Sequence, residues 1–163
     1  MTRIEALRNH VLDMISRHAD DGIISQEAQR AAYTHLYGAS CMAALLAAKR
    51  DNNAELATMA GMLHDIAYFA PMADIPEGSH AERGAIIAMV ILSRLNVTSR
   101  EENETICTAI QRHERKDAVD TPFDEILKDA DVLAHGLHDV TLKNFRGERW
   151  DKVCREIGMI NYR

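Results

Sequence analysis

Leu56-Ala57-Thr58-Met59-Ala60-Gly61-Met62-Leu63-His64-Asp65-Ile66 is an apolar, alanine-rich run that ends in a histidine and an aspartate. Its residues favour a helix. A helix greasy on every side belongs inside a protein, and an imidazole and a carboxylate at its end are costly to bury without compensation. A bound metal compensates both, since neutral imidazole nitrogen and carboxylate oxygen are good ligands for Zn, Mn or Fe. A single His-Asp dipeptide says little, and the chain holds another at His138-Asp139. What matters is whether further ligands converge on the first.

Working outward, the 163 residues suffice for one domain with a real core and are too few for two comfortable ones. Aromatics are 5% and prolines only 3, and Ala, Leu, Ile and Met dominate the apolar set, which favours an all-α fold. The formal charge of −6 comes with no basic block, so nucleic acid is not expected as a partner, whereas a small anionic substrate remains open. Cys41, Cys107 and Cys154 form no CxxC pair and no disulfide framework, and Cys41 and Cys107 read as small buried hydrophobes. No apolar signal core opens the chain, and no run approaches the ~18 apolar residues of a membrane span. The expectation is a reduced, cytoplasmic protein with no membrane partner; a homo-oligomer is possible but nothing indicates one.

Helical periodicity predicts a bundle of about six to seven helices in a single domain spanning residues 1–163. Residues 3–18 repeat Ile4, Leu7, Val11, Met14 and Ile15 on one face, with His10 and His18 as solvated surface residues. Ser25 caps a second helix to about Lys49, carrying His35 and then a run of small residues suited to close packing. Residues 67–78, with two prolines and no period, are expected as a loop: either an active-site lid or a packed connection anchored by Phe69 and Ile75. Ser79-His80-Ala81-Glu82 is a capping box, and the helix it opens ends at Asn96. A further box at Thr98–Glu102 begins a helix that carries His113 on its last turn. The charged Glu114-Arg115-Lys116-Asp117 reads as a solvated turn. Thr121-Pro122 starts the next helix, with Gly136 just beyond its end. Asp129 and Asp131 lie about 200° apart on it, so both cannot face the core, and Asp131 is the inward one. The tail, with Phe145, Trp150, Val153, Ile157 and Met159, docks as a final helix over about 148–158 and shows no chemistry.

His35, His64, Asp65, His80, His113 and Asp131 are thus the polar residues stranded on apolar helix faces, and helical bundles build metal sites from such inward ligands. In order, spacing and flanks the chain resembles the HD-domain superfamily of metal-dependent phosphohydrolases over about residues 30–135. The resemblance rests on His35, on Met62-Leu63-His64-Asp65-Ile66, and on His80-Ala81-Glu82-Arg83-Gly84-Ala85. It continues through Ala109-Ile110-Gln111-Arg112-His113 and Asp129-Ala130-Asp131-Val132-Leu133. It implies that His35, His64, Asp65 and Asp131 bind a first metal and that Asp65 bridges to a second held by His80 and His113. It makes His64 and Asp65 the candidate catalytic residues and one or two divalent ions (Mn, Fe, Zn, Co or Ni, with Mg possible) the cofactor. Two such cations suit the attacking and leaving oxygens of a phosphoryl transfer.

Departures from the family's branches narrow the expectation. No Gly-Lys follows His64-Asp65, which speaks against the cyclic-dinucleotide branch, and no Glu-Asp pair follows, which speaks against the alarmone branch. The expected substrate is a small phosphorylated metabolite or nucleotide. Arg83, Arg112 and Lys116 are candidates to contact it, though Arg83 serves equally as a partner for Glu82 or Glu77. His138-Asp139, and His135 before it, read as bystanders. Two alternatives share the same ligand set: a diiron oxygenase, and a metal-binding sensor without turnover.

Overall fold

The structure is a computed structural model and describes residues 1–138 and 147–159. Asp139 and Phe145 lie outside the described residues, as does the side chain of His138. Among the described residues all regular structure is helical: α1 (Arg3–Asp20), α2 (Gln26–Lys49), α3 (Ala54–Leu63), α4 (Ile66–Phe69), α5 (His80–Leu95), α6 (Arg100–Arg112), α7 (Pro122–His138) and α8 (Glu148–Glu156). Seven of these match the expected helices; α4 is a single extra turn.

The starts follow from local chemistry. The Thr2, Ser79 and Ser99 side chains accept from the third residue of their helices, and Glu5, Glu82 and Glu102 reach back to the capping N–H groups. Ser25 and Asn53 cap α2 and α3 in the same sense. Asn96 ends α5 in the left-handed conformation, with φ of 50°.

The greasy helix is the centre of the bundle. Leu56, Ala57, Met59, Ala60, Gly61, Met62 and Leu63 of α3 are buried, enclosed by α1, α2, α6 and α7. Gly61 lets α2 approach closely: a Cβ there would stand 2.7 Å from the Ser40 Cα. Ser40 Oγ donates to the Thr58 carbonyl at 2.9 Å across the same seam.

Five expectations need correction. Ala67–Phe69 belong to α4, because the chain takes one more turn after Asp65. Beyond α4 the segment is anchored at two points, Met72 and Ile75 resting on the core with Phe69 of α4, while Ala73, Asp74 and Pro76 to Gly78 are exposed. His18 of α1 lies between the Met14 and Pro71 carbonyls at 2.8 and 3.0 Å. His18 is therefore half-buried rather than solvated. α7 does not stop before Gly136 but runs through it, since the Trp150 ring of α8 occupies the space a side chain would fill. Cys41 is exposed on the outer face of α2, whereas Cys107 and Cys154 are buried. Finally, Asp129 is buried as well as Asp131, because α7 is covered on two sides. Asp129 Oδ2 accepts from Arg50 Nη2 at 2.6 Å and Oδ1 from Arg149 Nη1 at 2.7 Å, so the second aspartate is neutralised by two guanidiniums.

Candidate metal centre

Helix ends and faces converge beside the C-terminus of α3. Two neighbours on a continuous helix point about 100° apart. Here α3 ends at Leu63 and the backbone breaks at Asp65 (φ −107°, ψ 18°) before α4, so His64 and Asp65 both turn to one side. Gly84 lets α5 lie against this break; a Cβ there would meet the His64 carbonyl at 3.1 Å. His80 is the first residue of α5, His113 caps the end of α6, and His35 and Asp131 come from the middles of α2 and α7.

All six sequence candidates meet. Asp65 lies between two histidine pairs and gives one oxygen to each. Its Oδ2 is 3.1 Å from His35 Nε2 and 3.5 Å from His64 Nε2, while its Oδ1 is 3.4 Å from both His80 Nε2 and His113 Nε2. Within each pair the Nε2 atoms face one another, at 3.0 Å for His35 and His64 and 3.3 Å for His80 and His113. Asp131 Oδ1 is 3.3 Å from His64 Nε2.

The ring orientations are set from behind. His64 Nδ1 lies 2.8 Å from the Gly61 carbonyl and His113 Nδ1 2.6 Å from the Ile110 carbonyl. A carbonyl only accepts, so each Nδ1 carries the proton, and in the neutral ring Nε2 presents its lone pair inward. His80 Nδ1 is backed by Glu114 Oε1 and by the Tyr68 hydroxyl, both at 2.7 Å. Facing ring nitrogens and carboxylate oxygens without hydrogen bonds call for cationic charge: Asp65 Oδ1 and Asp131 Oδ1 are buried without a hydrogen-bond partner. The donor set thus fits a divalent cation, with His35, Asp65, Asp131 and His135 in one group able to hold an ion and Asp65, His80 and His113 in another.

The electrostatics carry the same signature. Burial lowers the His35 and His80 imidazoles, favouring the neutral form that ligates. Burial also opposes charge on His64, but Asp65 and Asp131 outweigh it and push this ring up to about 9. For Asp131 the penalty of burial is overcome by the Lys116 ammonium and by the His135 and His64 rings, which hold the carboxyl well below its usual range.

The other candidates divide. Lys116 enters the cluster, its Nζ 2.6 Å from Asp131 Oδ2. Arg112 is bound to Asp124 at 2.8 Å and braces α6 to α7. Arg83 lines a separate groove of about 610 Å³ between α5 and α6, with Met89, Cys107 and Thr108, and that groove contains none of the six. The segment Glu114–Asp117 is the turn expected from its charges, with Glu114, Arg115 and Asp117 exposed, but it also reaches inward, since Glu114 supports His80 and Lys116 meets Asp131. Sequence reading also passed over His135, whose Nε2 is 3.3 Å from Asp131 Oδ1 and whose ring centroid is 4.4 Å from that of His35. The signal was available: His135 follows Asp131 by one helical turn, on the same face of α7. Tyr68 and Glu114 had no such periodic signal.

Comparison with curated proteins and with solved structures gives no match. The HD domain family profile matches residues 32–136, which is more than half of the chain and contains all six converging residues. HD domains are typically metal-dependent hydrolases, and the His/Asp groups here are able to hold a metal. The chain belongs to the HD domain family.

Proposed function

We propose that the protein is a metal-dependent phosphohydrolase acting on a small phosphorylated metabolite or nucleotide. The observation that carries this reading is the division of Asp65, one oxygen toward each of two inward-facing histidine pairs. His35, His64, Asp131 and Asp65 Oδ2 would hold one divalent ion; His80, His113 and Asp65 Oδ1 would hold the other. When bound, such ions supply Lewis-acid charge to phosphate oxygens and activate water for attack. The chain's own residues do the rest. The Gly61 and Ile110 carbonyls fix the His64 and His113 tautomers, Glu114 orients His80, and Lys116 brings a positive charge toward an incoming phosphate. Lys116 Nζ has three donors and gives one to Asp131, with its side chain 32% exposed.

The test is phosphate release from a panel of nucleotides and phosphate esters, with Mn, Mg, Fe, Co or Ni added, by the native protein and by Asp65→Ala. Release by the native protein alone is expected. Silence from a folded, metal-loaded native protein across the panel would overturn the reading. Oxygen consumption by the iron-loaded protein, without phosphate release, would replace it with an oxygenase.

A further inference from the structure

Arg149 stands in the first turn of α8, beyond the segment that matches the family profile. Its guanidinium is a fork with two targets. Nη1 donates to Glu125 Oε2 at 2.8 Å and to Asp129 Oδ1 at 2.7 Å. On the other edge, beside a longer contact of 3.5 Å from Nη2 to the Ala118 carbonyl, Nε and Nη2 both donate to the backbone carbonyl of Lys116, at 3.1 and 2.9 Å. A planar guanidinium holds its donors in fixed directions, so the two carboxylates of α7 aim the remaining edge at that carbonyl.

Lys116 lies between α6 and α7, in a stretch without helical hydrogen bonding; its own N–H donates to the Glu114 backbone carbonyl at 2.8 Å. From there Nζ reaches the outer oxygen of Asp131, Oδ2, at 2.6 Å. The inner oxygen, Oδ1, faces His64 and His135 at 3.3 Å each and has no hydrogen bond. The ammonium therefore occupies one side of this carboxylate and leaves the other for a cation. Two like charges sharing one carboxylate repel, so Lys116 opposes the cation it sits beside.

We infer that Arg149 is a positioning residue of the metal centre: by holding the Lys116 carbonyl it places the Lys116 ammonium on Asp131, which then offers a bound cation one oxygen rather than two. The consequence for the cation rests on the metal-site reading above. The clamp on the Lys116 carbonyl stands on geometry alone, and the two are tested separately.

Arg149→Lys retains a positive charge for Asp129 and Glu125 but cannot span both targets; Arg149→Gln, which removes the charge as well, serves as the harsher variant. The first readout uses the metal-free full chain and limited trypsin cleavage after Lys116, whose scissile carbonyl is the one Arg149 holds. Cleavage there, and after the adjoining Arg115, is expected to accelerate at least about tenfold in Arg149→Lys, with cuts outside this turn unchanged, because the site must open locally to be cut. The second readout is manganese affinity by calorimetry. Lys116→Met is expected to bind manganese about fivefold or more tightly, from loss of the neighbouring positive charge. Arg149→Lys is expected to shift affinity in the same direction and to add nothing in the Lys116→Met background. Unchanged cleavage after Lys116, or additive effects of the two substitutions on manganese affinity, would overturn the inference. Absence of manganese binding by every protein would overturn the metal-site reading, while the cleavage readout still decides the clamp.

Discussion

His64 has to serve opposite demands. It is fully buried, which disfavours charge, yet it faces two carboxylates that favour it, and the balance raises its imidazole to about 9. Without metal the ring is therefore cationic at neutral pH, and Nε2 must lose a proton before it can ligate. Manganese affinity is expected to rise about tenfold per pH unit up to about pH 9, with roughly one proton released per ion bound at His64. Calorimetry in two buffers of different ionisation enthalpy measures that release; affinity independent of pH across this range would refute it. The stability of the metal-free protein should move the other way. Because the folded value lies above the ordinary 6.5, the His64 contribution is complete below that value and is lost as pH rises through about 9. At this scale much was legible: each of the six converging residues interrupts an apolar helix face. Tyr68 and Glu114 were not, because they act from behind a ligand, and nothing in local periodicity marks a residue whose role is to orient another.

Helices α2 and α3 meet where Gly61 faces the Ser40 backbone, and α7 meets α8 where Gly136 faces Trp150. Gly61→Ala forces a methyl against backbone that cannot turn aside, and is expected to cost about 1–3 kcal/mol as read by thermal or urea unfolding. A loss below a few tenths would show that the seam can yield. Gly136→Ala displaces the one tryptophan of the chain, so its effect is visible without unfolding. The expected result is a red-shifted, more quenchable fluorescence with helical content retained; an unaltered spectrum would contradict the packing. Helix starts were legible because a cap is a local contract between residues three apart. The end of α7 was not, because a glycine that reads as a stop is here a seat for a ring more than ten residues away.

Across the whole molecule, a chain of ion pairs behind α7 joins segments distant in sequence. Arg50 of α2 meets Asp129 and Glu156, Arg149 meets Asp129 and Glu125, and buried Lys128 meets Glu125 and Asp120. Burial works against the Glu125 carboxylate, but the Asp120 N–H, Arg149 and Lys128 outweigh it and lower the group to about 2. Its folded value lies below the ordinary 4.5, so its contribution is present at neutral pH and is lost as pH falls through about 2. Urea unfolding at descending pH is expected to show steep loss of stability in this range, flattened in Glu125→Gln; equal slopes for the two proteins would count against the network. The all-helical class followed from composition and periodicity. The pairing of charges from opposite ends of the chain did not, since an aspartate beside a greasy stripe looks solvated until a second helix covers it.

The two helices that flank the matched segment have a consequence for excision. Leu7, Val11 and Ile15 of α1 and Trp150 and Val153 of α8 are buried, and His18 reaches the Pro71 carbonyl. A fragment cut to residues 32–136 would keep the six converging residues and lose the cover over two apolar seats. Its bare surfaces would find each other, and the boundaries of a recognisable motif would prove narrower than the smallest piece that stays in solution.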